Sequence, residues 1–459
     1  MSGIPLRLIE QWLGEAGHLV EPPIAIGAPV AQSVREACVD SRVARAGCLF
    51  VALPGARTDG HEFVDQACRG GAVAALVSQV KLAAVRPRLY GSVRLFPVDD
   101  PLAALQSLSF RWRRRHQSLH RVGVTGSNGK TTVKELIGSI LARSAPTVIS
   151  RGNLNSDIGL PMELLRIRPD HRYGVFEMGM NRIGEIGLLA QLTEPDTAVI
   201  TNIGTAHIGM VGSQDAIAQE KRAVFSAFTG RQTAVIPDAD QYADYLADGV
   251  AGSVVRYGMH SARVQSVDDL GLDGFELHAD EGPIRLSIPG RPMISNALAA
   301  ITVARSLDVR FQDIRDGLES VRASFGRSEV IRSRVTIIQD CYNANPESMR
   351  AALDVLAATT SGGRRVAVLG SMKELGAESG RRHAEIASYA SSLGIDRVIL
   401  YGDEFADAVD ASVVRVFPDD QWESVVDELG FVREGDTILL KGSRAVELER
   451  LTPLLTEAR

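Results

Sequence analysis

A short apolar strand, Val122-Gly123-Val124, runs into Thr125-Gly126-Ser127-Asn128-Gly129-Lys130-Thr131-Thr132, and a helical run, Val133-Lys134-Glu135-Leu136-Ile137, leaves it. A strand, a glycine-rich turn, Lys-Thr and then a helix is how a phosphate-cradling loop is built. Gly126 and Gly129 let backbone N–H groups turn inward, the helix N-terminus adds partial positive charge, and Lys130 neutralises phosphate oxygens. The Thr131 hydroxyl is placed for a nucleotide-bound Mg²⁺. With Ser127, Asn128 and Thr132 completing the loop, the segment predicts a site for ATP or GTP. The standard spacing puts a glycine six residues before the lysine, but Val124 stands there and Gly126 is four before Lys130. The loop is a short variant.

A chain of 459 residues exceeds what one hydrophobic core serves, so about two to four domains are expected. With 45% hydrophobic and 23% charged residues the composition is globular, and a net charge of −6 argues against a general nucleic-acid binder, which is normally basic. Cys38, Cys48, Cys68 and Cys341 form no CxxC pair, a pattern of reduced thiols and not of a disulfide framework or zinc site. No signal-peptide core opens the chain, and no stretch approaches the roughly 18 apolar residues of a membrane span, so a cytoplasmic protein without membrane insertion is expected. The basic run Arg111-Trp112-Arg113-Arg114-Arg115-His116 falls on an expected helix and reads as a solvated face.

The pattern along the chain is α/β throughout. Residues 1–103 read as a small mixed α/β domain with strands at Cys48–Leu53 and Ala72–Val77. Residues 104–325 alternate strands and helices around the phosphate loop, with strands at Thr147–Ile149, Tyr173–Phe176, Thr197–Ile200 and Thr233–Ile236. Apolar strands separated by helical lengths imply a mainly parallel sheet covered on both faces. Residues 326–459 form a third α/β unit, with strands Arg365–Leu369, Arg397–Leu400 and Thr437–Lys441, and no internal repeat is evident.

Active-site groups in a parallel sheet gather beyond the carboxyl ends of its strands. Glu177 follows one such strand directly, where a metal-binding acid belongs in a phosphate-loop enzyme, and His207 comes shortly after another. Each reads equally well as an ordinary loop residue. Lys221 carries a stronger argument. Ser213 or Asp215 can cap its helix, and Lys221 falls on the apolar stripe of Ile217, Val224, Phe225 and Phe228. A buried ammonium must be paired, neutralised or chemically changed, unless the stem simply snorkels. A neutral amine there could take up CO₂ as a carbamate, a carboxylate suited to Mg²⁺. Polar clusters also stand out at Gly152–Pro161 with Asn153, Asn155 and Asp157, at Asp340–Pro346 with Asn343 and Asn345, and at Lys441-Gly442-Ser443-Arg444. Such loops are usually turns, but the first and third follow strands and could face one cleft.

These residues resemble the Mur ligases, the ATP-dependent enzymes that assemble the peptidoglycan precursor. Gly126–Thr132 has their short loop spacing, and Asp40-Ser41-Arg42 with Gly47–Leu53 and Asp59-Gly60-His61 is similar to their UDP-binding domain. Asn153–Pro161 and Tyr342–Met349 are similar to the member that acts last. The resemblance implies three domains: an N-terminal UDP-substrate-binding domain using Ser41 and Arg42, a central P-loop ATPase domain, and a Rossmann-like C-terminal domain that closes on ATP. It also implies that Lys130 and Thr131 hold ATP and a first Mg²⁺ with Glu177, that His207 and carbamylated Lys221 organise a second, and that Asn296, Arg327 and Asp340 contact the nucleotide. Asn153, Asn155, Asp157, Asn343 and Asn345 would meet substrate. Three positions depart from the family's usual residues: Pro292, Ser371 and Gln339, where a histidine and two acids are common.

The implied reaction is amide formation between UDP-N-acetylmuramoyl-tripeptide and D-alanyl-D-alanine through an acyl phosphate, in a monomeric enzyme. Rival readings are an amide ligase of the folylpolyglutamate synthase kind, which usually begins directly with the phosphate loop, and a nucleotide-dependent switch or assembly NTPase.

Overall fold

A computed structural model describes residues 3–27, 33–55, 58–89, 92–360, 362–406 and 414–457. Three sheets organise them. The central one has six strands, all parallel, in the order Ser253–Tyr257, Thr233–Pro237, Thr197–Ile200, His120–Thr125, Tyr173–Glu177, Thr147–Ile149. Successive residues point to opposite faces and both faces are buried. Val122, Val124, Val175, Val199 and Val235 turn toward helices Lys130–Ser144, Pro292–Ser306 and Phe311–Ser320. Phe176, Ala198, Ile200 and Ile236 turn the other way, into a core that continues through Leu189 and Trp112 to Ile9 and Leu13 of the N-terminal part. From His120–Thr125 the chain goes to the edge strand Thr147–Ile149, returns through Tyr173–Glu177, crosses to Thr197–Ile200 and winds outward on that side, so the crevice opens beyond the carboxyl end of His120–Thr125.

The N-terminal sheet is mixed, in the order Ile24–Ile26, Val93–Val98, Ala72–Ser78, Cys48–Val51, Glu36–Cys38, with the first pair antiparallel and the others parallel. Cys38 and Cys48 lie on its paired strands, and all four cysteines are free thiols. The C-terminal sheet runs Glu329–Arg332, Thr336–Asp340, Thr437–Lys441, Arg365–Gly370, Arg397–Tyr401, Val414–Phe417, parallel except for its first pair. A three-stranded antiparallel sheet, Val264–Asp269, Phe275–Ala279 and Gly282–Leu286, joins the core on the Val122 face of the central sheet and was not expected. Its alternation is clean only in Phe275–Ala279, where every second side chain is buried.

One expectation is overturned. Helix Pro101–Arg114 starts at an Asp100 cap, whose Oδ1 accepts from the Leu102 and Ala103 N–H groups, and proline takes the position where a missing N–H costs nothing. Ala104, Leu105, Leu108 and Trp112 recur on one face, and that face is buried between the N-terminal and central sheets. The helix crosses the position expected for the first domain boundary. Its basic run is therefore not a solvated face. Arg113 is 1% exposed and His116 8%. The Arg113 guanidinium donates to the Leu192 carbonyl at 3.0 Å and pairs with Glu194 at 2.5 Å, while Trp112 Nε1 donates to the Ile167 carbonyl at 3.0 Å. Arg114 and Arg115 do remain outside, stacked over Phe110 and Trp12.

Arg113→Met keeps the stem but leaves the Leu192 carbonyl without its donor and Glu194 without its partner. It should destabilise the fold by about 1–3 kcal/mol in urea titration, whereas Arg114→Met should change the midpoint by less than about 0.5 kcal/mol.

Candidate active site

The phosphate loop leaves His120–Thr125 with two glycines that nothing else could replace. Gly126 has φ +147°, and a Cβ there would stand 1.8 Å from Thr201 Oγ1; Gly129 has φ +79°, and its Cβ would stand 2.5 Å from Asn296 Oδ1. Asn296 is thus packed against the loop from helix Pro292–Ser306, and Pro292 opens that helix at its first position. The loop holds its own shape. Lys130 Nζ donates to the Gly126 and Ser127 carbonyls at 2.8 and 3.1 Å, Asn128 N–H donates to Asn202 Oδ1 at 2.9 Å, and Gly204 N–H donates to Ser127 Oγ at 2.8 Å. Burial lowers the Lys130 ammonium from its ordinary value, with Glu177 working against that shift and Arg327 adding to it.

Glu177 is the last residue of its strand and is 2% exposed. Its Oε2 accepts from the Thr131 hydroxyl at 2.8 Å, its Oε1 accepts from Asn155 Nδ2 at 2.7 Å, and its N–H donates to Ser150 Oγ at 3.0 Å. The strand end thereby ties the phosphate loop to the 150–155 segment. Hard oxygen donors from Thr131 and Glu177, side by side at a cavity wall, suit Mg²⁺.

Lys221 sits in helix Gln214–Arg222, which Ser213, not Asp215, caps by accepting the Ala216 N–H. It is 1% exposed, among Ile217, Val224 and Phe225, as the stripe predicts. Burial pushes its amine well below the ordinary lysine value, and the nearby Lys130 charge pushes it further. His207 adopts a left-handed backbone, φ +66°, and its Nδ1 lies 2.6 Å from Glu374 Oε2 without hydrogen-bond geometry. Glu374 is itself left-handed, φ +68°, and this contact holds its carboxyl below the usual carboxylate range. Non-glycine residues held in this region cost energy and gather at functional sites.

The C-terminal sheet closes over this edge. Asn345 Nδ2 donates to Asn128 Oδ1 at 2.7 Å, Glu347 Oε1 accepts from the Thr205 N–H and hydroxyl at 3.0 and 2.8 Å, and Gly209 N–H donates to the Glu374 carbonyl at 3.0 Å. Lys441, 1% exposed, reaches Asp340 Oδ2 at 2.7 Å and the Asn343 carbonyl at 3.2 Å, while the Arg327 guanidinium lies 4.2 Å over the Tyr342 ring. Together these parts enclose a cavity of about 580 Å³. It is lined by every residue expected to bind nucleotide from Ser127 to Thr132, and by Glu177, His207, Asn296, Arg327 and Asp340, with Asn153, Asn155, Asn343 and Asn345 of the expected substrate clusters.

Five expected residues do not line it. Gly126 lies behind the loop, Lys221 behind Lys130, and Asp157 is turned to Arg182. Ser41 and Arg42 belong to the N-terminal domain, where Ser41 Oγ donates to Gln66 Oε1 and Arg42 pairs with Asp40. Conversely, Asn202, Glu347, Glu374, Lys134 and Lys441 were given no role from sequence, although all but Glu374 stood inside segments already singled out. Local reasons account for two departures from the family pattern. Ser371 Oγ donates to Glu404, so a carboxylate reaches that strand end from its neighbour. Gln339 donates to Glu329 Oε2 and accepts from Thr452, where an acid would face Glu329.

A loop that takes up a triphosphate while a further domain leans over it belongs to an enzyme that uses ATP inside a closed cleft. Residues 34–113 match the description "Mur ligase family, catalytic domain", residues 124–304 "Mur ligase middle domain", and residues 326–444 "Mur ligase, glutamate ligase domain". The chain is 40% identical over 433 residues to UDP-N-acetylmuramoyl-tripeptide–D-alanyl-D-alanine ligase of Treponema pallidum, covering 92% of this chain and 93% of that one. Among solved structures it is similar to MurF of Acinetobacter baumannii (31% identity, TM-score 0.83, 100% of this chain and 99% of that chain). It is also similar to MurF ligase of Thermotoga maritima in complex with ADP (29% identity, TM-score 0.76, 92% and 97%). The chain belongs to the Mur ligase family.

The segment that carries Glu374 is pinned by a buried neutral histidine. His383 Nε2 accepts from the Met372 N–H at 2.8 Å and its Nδ1 donates to the Ser379 carbonyl at 2.7 Å, so no lone pair is free for a proton, and burial lowers its pKa from 6.5. A base depressed in the folded state leaves stability complete above the ordinary value and removes it as pH falls from there through the folded value. The thermal midpoint should therefore drop as pH falls below about 6.5, and the slope should be shallower in His383→Gln. An unchanged slope would show that His383 does not contribute.

Proposed function

We propose that the chain joins UDP-N-acetylmuramoyl-tripeptide to D-alanyl-D-alanine, consuming ATP and releasing UDP-MurNAc-pentapeptide, ADP and phosphate. One observation carries this reading. The phosphate loop, Glu177 and the asparagine clusters of two domains line a single cavity, in a chain aligned over nine-tenths of its length with ligases of that name. A carboxylate is a poor electrophile, so its oxygen first attacks the γ-phosphorus of ATP and the bond to ADP breaks. The dipeptide amine then attacks the acyl carbon, a tetrahedral intermediate forms, the amine loses its proton, and the carbon–oxygen bond to phosphate breaks.

The protein contributes position and charge. Lys130 and the loop N–H groups hold the phosphates, and Asn155 faces the tripeptide from a segment fixed to Glu177. Asn296, Arg327 and Asp340 belong to the nucleotide side, and Asn153, Asn343 and Asn345 to the substrate side. Residues 1–103, with Ser41 and Arg42, take the UDP end; 104–325 take ATP; 326–459 bring the dipeptide. The bonds from Asn345 and Glu347 to the central domain keep water from the acyl phosphate.

Thr131 and Glu177 fit one Mg²⁺, and His207 with Lys221 a second. His207 Nδ1 is a buried nitrogen without a hydrogen bond, and the Lys221 amine has no ion pair among the described residues. An amine kept neutral by burial adds to CO₂, loses a proton and becomes a carbamate, which supplies the missing carboxylate. Bound Mg²⁺ would spread the charge that develops as the γ-phosphoryl group moves. One chain carries all these groups, so this reading needs no second subunit. An amide ligase of the folylpolyglutamate synthase kind fits less well, because the N-terminal sheet is present and matches the family.

Phosphate release from ATP should depend on both UDP-tripeptide and D-alanyl-D-alanine; no stimulation by the dipeptide would refute the reading, and stimulation by glutamate instead would favour the other ligase. Lys221→Ala should lose most activity, roughly 100-fold or more, and recover part of it with a short-chain carboxylic acid. A folded variant that no such acid rescues would argue against the carbamate.

A further inference from the structure

Lys134 is completely buried, and its surroundings are those of the site and not of the core. It lies four residues after Lys130 on the same helix, so the two share a face. Lys130 turns to the cavity; Lys134 turns under it. Its Nζ donates to the Ser150 carbonyl at 2.7 Å and the Gly152 carbonyl at 3.2 Å, lies 2.9 Å from Glu135 Oε1, and is 3.9 Å from Glu177 Oε2. Ser150 and Gly152 belong to the segment that carries Asn153 and Asn155, and Asn155 donates to the other oxygen of Glu177. Ser150 also accepts the Glu177 N–H through its hydroxyl.

A buried ammonium is costly to desolvate, and here two carbonyls and Glu135 offset that cost, partners that a methionine of similar length would leave without a donor. Those partners belong to the site, so the charge does more than fill space. What the charge adds is a second tie, from below, between parts that Glu177 joins at the cavity wall: the phosphate-loop helix, the carboxylate beneath the loop, and the asparagine segment. We propose that Lys134 is a positioning residue, whose ammonium fastens the 150–155 segment and Glu177 to the phosphate-loop helix and so sets the spacing between the nucleotide and the tripeptide. This rests on the reading of Asn155 as substrate-facing and Glu177 as metal-binding. Lys134 touches neither ligand itself.

The test uses the full chain with Lys134→Met and Lys134→Gln. Calorimetric binding of UDP-N-acetylmuramoyl-tripeptide, without ATP or Mg²⁺, should weaken about 10-fold or more in Lys134→Met, with partial recovery in Lys134→Gln, whose amide can still donate to the two carbonyls. In the ligase assay the Mg²⁺ concentration for half-maximal rate should rise by about 10- to 100-fold, while KM for D-alanyl-D-alanine stays as in the parent. Parental tripeptide affinity and Mg²⁺ dependence in either folded variant would overturn the proposal. So would failure of both variants to fold, which would make Lys134 a residue of the fold alone. Glu177→Gln, run in parallel, separates the two readings. If it keeps a normal Mg²⁺ response, the metal assignment fails, and the tripeptide binding of the Lys134 variants still judges the fastening of the loop.

Discussion

The site depends on one carboxylate that the central sheet delivers into a buried place. Glu177 ends a strand whose neighbours on both sides are apolar, so it cannot turn to bulk water, and its two oxygens must be satisfied by whatever lies near. Thr131 and Asn155 satisfy them, one from the phosphate loop and one from the segment after the edge strand. The carboxylate's need for partners is what orders the loops. A neutral strand end would leave the phosphate loop and the 150–155 segment without this direct tie at the floor of the crevice.

The parts of the structure that repeat a simple period were legible in the sequence. The strands expected in the three sheets fall at or within two residues of their limits, because runs such as Thr197–Ile200 and Thr437–Lys441 are buried on both faces and need apolar residues at every position, although the interior strands Val93–Val98 and Thr336–Asp340 were not expected. Lys221 was legible for the opposite reason, as a charge on an apolar stripe. The basic run at Arg111–His116 misled because composition hides which face of a helix is covered from both sides. Arg113 resembles its neighbours in sequence and differs only in facing Leu192 and Glu194 across the fold. Strands Val264–Asp269, Phe275–Ala279 and Gly282–Leu286 were all missed because their exposed or half-exposed polar residues interrupt the apolar runs.

Contacts between distant segments were the least legible. Nothing near Glu374 announces that it meets His207, and glutamate is not a residue type enriched in the left-handed backbone that both adopt. Their pairing is a property of how the C-terminal sheet lies against the central one. The same holds for Glu347, which looks like an ordinary first-turn acid of helix Pro346–Ala358 until Thr205 is seen against it. In each case the sequence shows a residue capable of the contact, while the partner is chosen by the packing of the two sheets.

The internal hydrogen bonds of the phosphate loop have a consequence for selectivity. Lys130 already places two of its three N–H donors on the Gly126 and Ser127 carbonyls, and the Asn128 N–H is taken by Asn202. An incoming anion meets the open N–H groups at the helix start directly, but competes with the loop's own carbonyls for Lys130. Against Lys130 an anion gains only the difference between the two sets of bonds, and that difference grows with the charge and the number of oxygens the anion brings.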